Sequence, residues 1–251
     1  MRRFFLPSQA LTGNLLVLRG PEAHHLAVVL RLAPGQTVEL FDGEGAIHTA
    51  LLQTVERDRV IAEITATRHE RPAAASPLTL AQCLLKGKKM DLLVQKATEL
   101  GVHAFVPLES RYCENRGDRE HQHERWRRIM FEACKQCHRA TPMHILPVTP
   151  LARFDTAAYV HCLVAWEGER TTPLPVGLGE RPGPICLVLG PEGGLHADDL
   201  AALRQRRCTT FSLGPRILRG ETAALAATAI VQYLVGSLHP EMEPASEEDR
   251  S

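Results

Sequence analysis

The sequence predicts an α/β domain built on a parallel sheet and preceded by a small all-β barrel domain. Three features of the 251-residue chain predict it. Short alternating apolar segments separated by turn residues fill the first 70 positions. A run without apolar periodicity, Arg71-Pro72-Ala73-Ala74-Ala75-Ser76-Pro77, then interrupts the pattern as inter-domain linkers do. Beyond it, strand-like and helix-like segments alternate, the texture of a parallel sheet with covering helices.

In the N-terminal part, residues 1–70, strands are expected over 3–6, 14–18, 37–41, 46–55 and 60–67. Asp42-Gly43-Glu44-Gly45 suits a hairpin turn between the third and the fourth of them. One helix is expected over 21–32, with Pro21 in its first turn and His25, Val28, Val29 and Leu32 at helical spacing. In the second part, residues 78–239, the strands read as 78–84, 104–107, 160–166, 185–189 and 209–213. The helices read as 89–100, stopped by Gly101, then 124–139, 198–206 and 221–236. The near-continuous apolar run at 185–189 reads as a strand buried on both faces. Residues 240–251 read as an acidic, disordered tail.

With 44% apolar and 23% charged residues, and no apolar stretch near the roughly 20 residues that span a bilayer, the chain is not expected to be a membrane protein. The basic, briefly apolar start is broken by Ser8, Gln9, Thr12 and Asn14, so export is not expected and the protein should be cytoplasmic. Seven cysteines, an odd number spread through the chain, read as reduced thiols. The net charge of zero argues at first against a nucleic-acid partner. Between Lys86 and Arg139, however, twelve Lys/Arg stand against eight Asp/Glu, whereas 241–251 carry one Arg against five acids. The acidic end masks a basic middle.

The chemistry points to two glycine-bearing loops. Leu187-Val188-Leu189-Gly190-Pro191-Glu192-Gly193-Gly194 is a buried strand breaking into a tight turn before a helix. Open α/β sheets bind ligands at this carboxyl edge, and paired glycines let a ligand approach the main chain closely. It fits neither the G-x-G-x-x-G dinucleotide spacing nor the Gly-Lys-Ser/Thr ending of a P-loop. About twenty residues on, Ser212-Leu213-Gly214-Pro215-Arg216-Ile217-Leu218-Arg219-Gly220-Glu221-Thr222-Ala223 is a second strand-to-loop-to-helix passage. Each alone could be structural: a strand-to-helix turn in the first, and in the second a helix cap from Glu221 or Thr222 beside a solvated Arg219. On neighbouring strands, the two would face one cleft.

Together these loops resemble the 16S rRNA (uracil-N3)-methyltransferase family of the SPOUT, or trefoil-knot, class. The likeness extends to Arg3-Phe4-Phe5, His24-His25-Leu26 with Val29-Leu30-Arg31, Gln95-Lys96-Ala97-Thr98-Glu99-Leu100-Gly101-Val102, and Arg125-Trp126 through Glu132-Ala133, Gln136, Arg139 and Pro142. The resemblance implies a PUA-like RNA-binding barrel, a knotted α/β domain, a homodimer, S-adenosylmethionine as cofactor and a target conventionally numbered uridine 1498 in 16S rRNA. It carries cofactor contacts to Trp166, Glu167, Gly190, Glu192, Gly194, Leu213, Gly214, Ile217, Leu218 and Arg219. The chain departs from the family pattern at Gly220, usually Thr, at Tyr112, usually Ser, and at Cys137, usually a small polar residue.

Uracil N3 carries a proton that is hidden in base pairing, so the target must be unpaired or flipped and its anion formed or stabilised. Glu221 is the expected base or orienting group, and Arg219 the group that stabilises charge on the uracil oxygen. RNA contacts are expected at Arg2, Arg3, His25 and Arg31 of the barrel and at Lys86, Lys89, Arg111 and Arg139 of the basic middle. His25 also fits as a satisfied core histidine. Cys134-Lys135-Gln136-Cys137-His138 spells the haem-attachment pattern, but it lies within a charged amphipathic helix and reads as chance. No metal is expected, since a zinc site using these residues and His144 lacks a second well-spaced pair. Competing readings are a non-catalytic RNA-binding ribosome assembly factor, a SPOUT methyltransferase acting on another RNA, and an enzyme using another adenine-containing cofactor.

Overall fold

The computed structural model describes residues 2–6, 11–70, 75–114 and 118–239. The expected acidic tail and most of the expected linker lie outside them. Two sheets organise the chain. The first has the strand order β1-β4-β5-β6-β3-β2, from β1 (Arg3–Phe5), β2 (Leu11–Thr12), β3 (Leu15–Arg19), β4 (Thr37–Phe41), β5 (Ala46–Glu56) and β6 (Arg59–His69). All its pairings are antiparallel except β1 with β4. The sheet curls around Phe4, Leu16, Leu18, Leu26, Leu40, Leu52 and Val60, all buried. The expected hairpin turn joins β4 to β5, where Asp42 Oδ1 accepts from the amides of Glu44 (2.7 Å) and Ala46 (3.0 Å).

The expected helix over 21–32 is shorter and partly of another kind. Helix α1 (Pro21–His24) widens into a π-helical turn at His25–Val29, where the Leu30 amide reaches back five residues to His25 O at 3.0 Å. Ala23 and Leu26 are the buried residues, while Val28 and Val29 are 42% and 62% exposed, so the expected apolar stripe is not the core face.

The second sheet has the order β10-β8-β7-β12-β11-β13, with β9 (His144–Ile145) beside β8. Its members are β7 (Leu78–Cys83), β8 (Ala104–Glu109), β10 (Thr149–Pro150), β11 (His161–Ala165), β12 (Ile185–Leu189) and β13 (Thr209–Phe211), and every pairing is parallel. The period of two splits its side chains between two cores. Leu78, Leu80, Ile185, Leu187 and Leu189 face α2 (Lys89–Glu99), α3 (Arg119–Cys137) and α5 (Gly220–Leu234). Ala81, Cys83, Cys186 and Val188 face α4 (Ala197–Gln205) through Leu200 and Leu203.

Helix α3 starts five residues before its expected start, because Asp118 caps it by accepting from the amides of Glu120 (3.0 Å) and His121 (3.2 Å). It stops at His138, in the left-handed conformation at φ 63°. Cys134 faces the core, and burial pushes its thiol up to about 12, far from the thiolate a metal or redox site requires. Among the described residues no helix is long and apolar enough to cross a membrane.

The two sheets share a packed seam: Phe41 and Ile47 of the first belong to the core of the second, and the Phe5 and Phe131 rings lie 4.4 Å apart. The Glu70 carboxylate accepts from the amides of Ala140 (2.9 Å) and Thr141 (2.7 Å). Two expected RNA contacts turn out to belong to this seam and its surroundings. Arg3 is only 6% exposed, 3.1 Å from the Glu39 carboxylate and stacked on Phe41, and none of its nitrogens completes a well-aligned hydrogen bond. Burial lowers its pKa in spite of Glu39. Arg139 donates to the carbonyls of Thr141 (2.6 Å), Val102 (2.7 Å) and Thr98 (3.2 Å), leaving its guanidinium committed to the protein's own backbone. Both are structural arginines. Arg139→Gln should therefore lower unfolding stability by about 2 kcal/mol or more in a denaturant titration, as expected when several charge-assisted bonds are lost. RNA affinity per folded molecule should stay unchanged.

Candidate functional site

Parallel strands end on the same edge of the sheet, and here three of their exits meet. The segments after β11, β12 and β13 line one cavity of about 540 Å³. The sequence predicted neighbouring strands for the two glycine-bearing loops, but they are not neighbours; β11 lies between them, and its own exit, starting at Trp166, completes the wall. All ten residues expected to contact a cofactor line this cavity: Trp166, Glu167, Gly190, Glu192, Gly194, Leu213, Gly214, Ile217, Leu218 and Arg219.

Each loop is fixed by identifiable contacts. After β12, Gly194 closes a tight turn by donating to Pro191 O at 3.0 Å. Its φ of 73° favours glycine, and a Cβ there would displace the Glu167 carboxylate. The buried Gln82 side chain donates to Gly190 O at 3.1 Å. Glu192 Oε1 accepts from the Lys86 amide (3.0 Å) and from Lys89 Nζ (2.8 Å). Burial would raise the Glu192 pKa, but these donors outweigh it and hold the carboxyl below its usual range. The same bond raises the Lys89 pKa.

The loops after β11 and β13 are clasped together. Trp166 donates its amide to Phe211 O at 3.2 Å, and Ser212 its amide to Thr172 O at 2.8 Å. Glu169 Oε1 accepts from the amides of Thr171 and Thr172 (both 3.1 Å) and the Thr171 hydroxyl (3.0 Å), and Oε2 from the Thr210 hydroxyl on β13 (2.9 Å). These donors pull its carboxyl down to about 2. The Trp166 ring lies under the Arg204 guanidinium, 5.2 Å from centroid.

The expected catalytic pair is divided. Arg219, the N-cap residue of α5, is exposed on the cavity wall without a side-chain partner among the described residues. Glu221, two residues on in the first turn of α5, does not line the cavity. Its Oε2 is buried without a hydrogen bond, and its nearest cation is Lys89 Nζ at 3.6 Å. At Gly220 a Cβ would meet Leu85 Cδ2 at 3.0 Å, so the family's usual threonine would require Leu85 to move. Tyr112 packs beside Gly193 and edge-on to His196.

The remaining expected RNA contacts are scattered. Arg2 donates to Leu30 O at 3.1 Å, Arg31 is exposed, and His25 is half-buried with its ring edge-on to Phe4. Lys86 pairs with Glu114 (2.7 Å) and Arg111 with Asp198 (3.1 Å), both at the surface. Lys89, expected on RNA, lines the cavity instead. Sequence reading missed Arg170 and Arg216 on the same wall. Arg216 stood inside the second glycine-bearing passage, whereas Arg170 sits in a long irregular connection that offered no periodic signal.

The chain thus joins a curled, mostly antiparallel sheet to a parallel α/β domain in which three strand exits enclose one cavity. The family model for an RNA methyltransferase domain matches residues 72–232, and that for an RNA methyltransferase PUA domain matches residues 18–65. The chain is 32% identical over 240 residues to the ribosomal RNA small subunit methyltransferase E of Mycobacterium tuberculosis, covering 92% of this chain and 91% of that one. It is 30% identical over 252 residues to the Bacillus subtilis protein of the same name, covering 93% and 96%. A crystal structure of the Neisseria gonorrhoeae ribosomal RNA small subunit methyltransferase E bound to S-adenosyl methionine superposes with a TM-score of 0.82 at 34% identity, over 93% of this chain and 98% of that one. The chain belongs to the ribosomal RNA small subunit methyltransferase E family.

The Glu169 clasp gives a pH prediction with a definite sign. A depressed carboxyl pKa means that the clasp's contribution is complete above the usual carboxylate pKa and is withdrawn as pH falls towards about 2. Carbon NMR of the Glu169 carboxyl should titrate there. Glu169→Gln should speed amide exchange at Thr171 and Thr172 at neutral pH, and unchanged exchange would dismiss the clasp.

Proposed function

We propose that the protein transfers a methyl group from S-adenosylmethionine to N3 of a uridine in the 16S RNA of the small ribosomal subunit, the position conventionally numbered 1498. The observation that carries this reading is the single cavity at the carboxyl edge of β11, β12 and β13, in a chain of this family.

The cavity suits such a cofactor. Gly190, Gly193 and Gly194 all line the cavity, and without side chains they leave the main chain of this turn open to close approach by a ligand. The Glu167 carboxylate lines the cavity with no partner among the described residues and offers a counter-charge to a cationic ligand. When bound, S-adenosylmethionine supplies a methyl group already activated on a sulfonium. The rest of the task is positioning an unprotonated acceptor in line with it.

Arg219, without another partner, stabilises the charge that develops on the uracil oxygen as N3 loses its proton. Glu221 orients the acceptor side of the site through Lys89, whose ammonium also holds Glu192 and with it the first glycine loop. Direct proton abstraction by Glu221 would need its carboxylate to swing towards the cavity. The uridine itself must be unpaired or flipped out to reach the opening. The N-terminal sheet contributes RNA contacts from Arg2, Arg31 and His25. The protein works as a homodimer, for which Ile230 and Tyr233, 43% and 60% exposed on α5, offer an apolar face together with Leu238. Its compartment is that of its substrate, the cytoplasm.

Incubation with labelled S-adenosylmethionine and unmodified small subunits, followed by digestion of the RNA, should yield 3-methyluridine. A different labelled nucleoside, or none, would refute the reading. Arg219→Ala and Glu221→Gln should each slow single-turnover transfer by about 100-fold, the scale seen when one positioned charge or donor is removed from a transition state. The melting temperature should not change, and full activity in both variants would remove these roles.

A further inference from the structure

The cavity wall carries more positive charge than its internal contacts use. Four lining side chains are cationic, Lys89, Arg170, Arg216 and Arg219, against two carboxylates, Glu167 and Glu192. Lys89 is engaged by Glu192 and Glu221. The three guanidiniums are exposed and have neither a hydrogen bond nor an ion pair among the described residues. Three other cations of the same domain are paired: Lys86 with Glu114, Arg111 with Asp198, Arg125 with Asp91.

The two arginines missed by sequence reading are carried on fixed backbone. Arg170 follows Glu169, whose carboxylate is held by Thr171, Thr172 and Thr210. Arg216 follows Gly214 in a turn where the Ser212 hydroxyl contacts Gly214 N and O, both at 3.3 Å, and where Ser212 N is tied to Thr172 O. One guanidinium from the β11 exit and two from the β13 exit thus stand around one opening. Like charges gathered at one opening without ion-pair partners repel one another, an arrangement relieved by an incoming anion. Guanidinium presents a planar fork of donors that matches a phosphate bidentately.

We propose that Arg170 and Arg216 form a phosphate-binding rim beside Arg219, one that grips the sugar-phosphate backbone of an unpaired strand next to the acceptor uridine and delivers its base into the cavity. This deepens the proposed function and rests on it for the identity of the base. Arg170 and Arg216 are positioning residues; neither needs to touch the reacting atoms. The rim also relocates part of the RNA contact, from Lys86, Lys89 and Arg111 with their carboxylate partners to the mouth of the site.

The test is an equilibrium titration of the full-length protein with a fluorescent single-stranded oligouridine over a salt series, comparing wild type, Arg170→Ala/Arg216→Ala and Arg170→Lys/Arg216→Lys. Each phosphate contact on a single strand contributes about 0.7 to the slope of log affinity against log salt. The double alanine variant should lose about 1.4 from that slope and bind about tenfold more weakly at about 0.1 M salt, whereas the lysine variant should recover most of the slope. Affinity for S-adenosylmethionine should stay within about twofold. In transfer assays KM for the RNA should rise with kcat nearly unchanged. An unaltered slope and RNA affinity in the alanine variant would overturn the rim. So would lost cofactor affinity with RNA binding intact, which would assign the arginines to the cofactor. Binding is read without methyl transfer, so a wild-type protein that grips oligouridine through these arginines yet transfers no methyl would refute the activity and not the rim.

Discussion

The parallel sheet fixes where chemistry can occur. Strands β11, β12 and β13 run side by side in the same direction, and their exits must leave from one edge. With β11 in the middle, the loops from its two neighbours face each other across its own exit. The strand interiors are filled on both faces, so an open space at this edge survives only if the loops are held in place. Two carboxylates do the holding. Glu169 draws the β11 and β13 exits together on one side, and Glu192 anchors the β12 exit to the start of α2. Both accept several hydrogen bonds, and both are held in the charged form below the usual carboxylate range.

The same sorting applies to the arginines. Arg3 and Arg139 are engaged within the chain, the first beside Glu39 and the second by three backbone carbonyls. Arg170, Arg216 and Arg219 have no internal obligations among the described residues and stand at the opening. Lys89 lies between these extremes, inside the cavity wall yet bound to two carboxylates. A lysine in that position transmits the placement of α2 to the first glycine loop and to Glu221 at the start of α5. Formal charge alone separates none of these roles; the presence or absence of a counter-charge does.

Much of this was legible in the residues. The uninterrupted apolar run at 185–189 and the glycines that follow marked the strand edge, because burial on both faces and a bare backbone leave compositional traces. The ten cofactor contacts that the family resemblance implied all line one cavity. Other features left no trace. Strand order is a tertiary property, so the position of β11 between the two loops could not be read from spacing. The π-helical turn at His25–Val29 keeps Leu26 in the core by widening the helix, which a period of 3.6 does not anticipate. The early start of α3 depends on Asp118, a cap hidden in a polar run. Arg3 and Arg139 looked like RNA contacts because residue type does not reveal that three carbonyls, or a glutamate and a phenylalanine ring, are already waiting for the guanidinium.

The central physical claim is that these three exits form a ready-made seat for a sulfonium-bearing cofactor. Thermal unfolding with and without ligand tests it most directly. S-adenosylmethionine at about 100 times its dissociation constant should stabilise the native protein by about 2.7 kcal/mol, with a rise in melting temperature, while NAD and ATP at equal concentration should leave the transition in place. No shift with S-adenosylmethionine up to millimolar concentration, or an equal shift with NAD or ATP, would contradict the account.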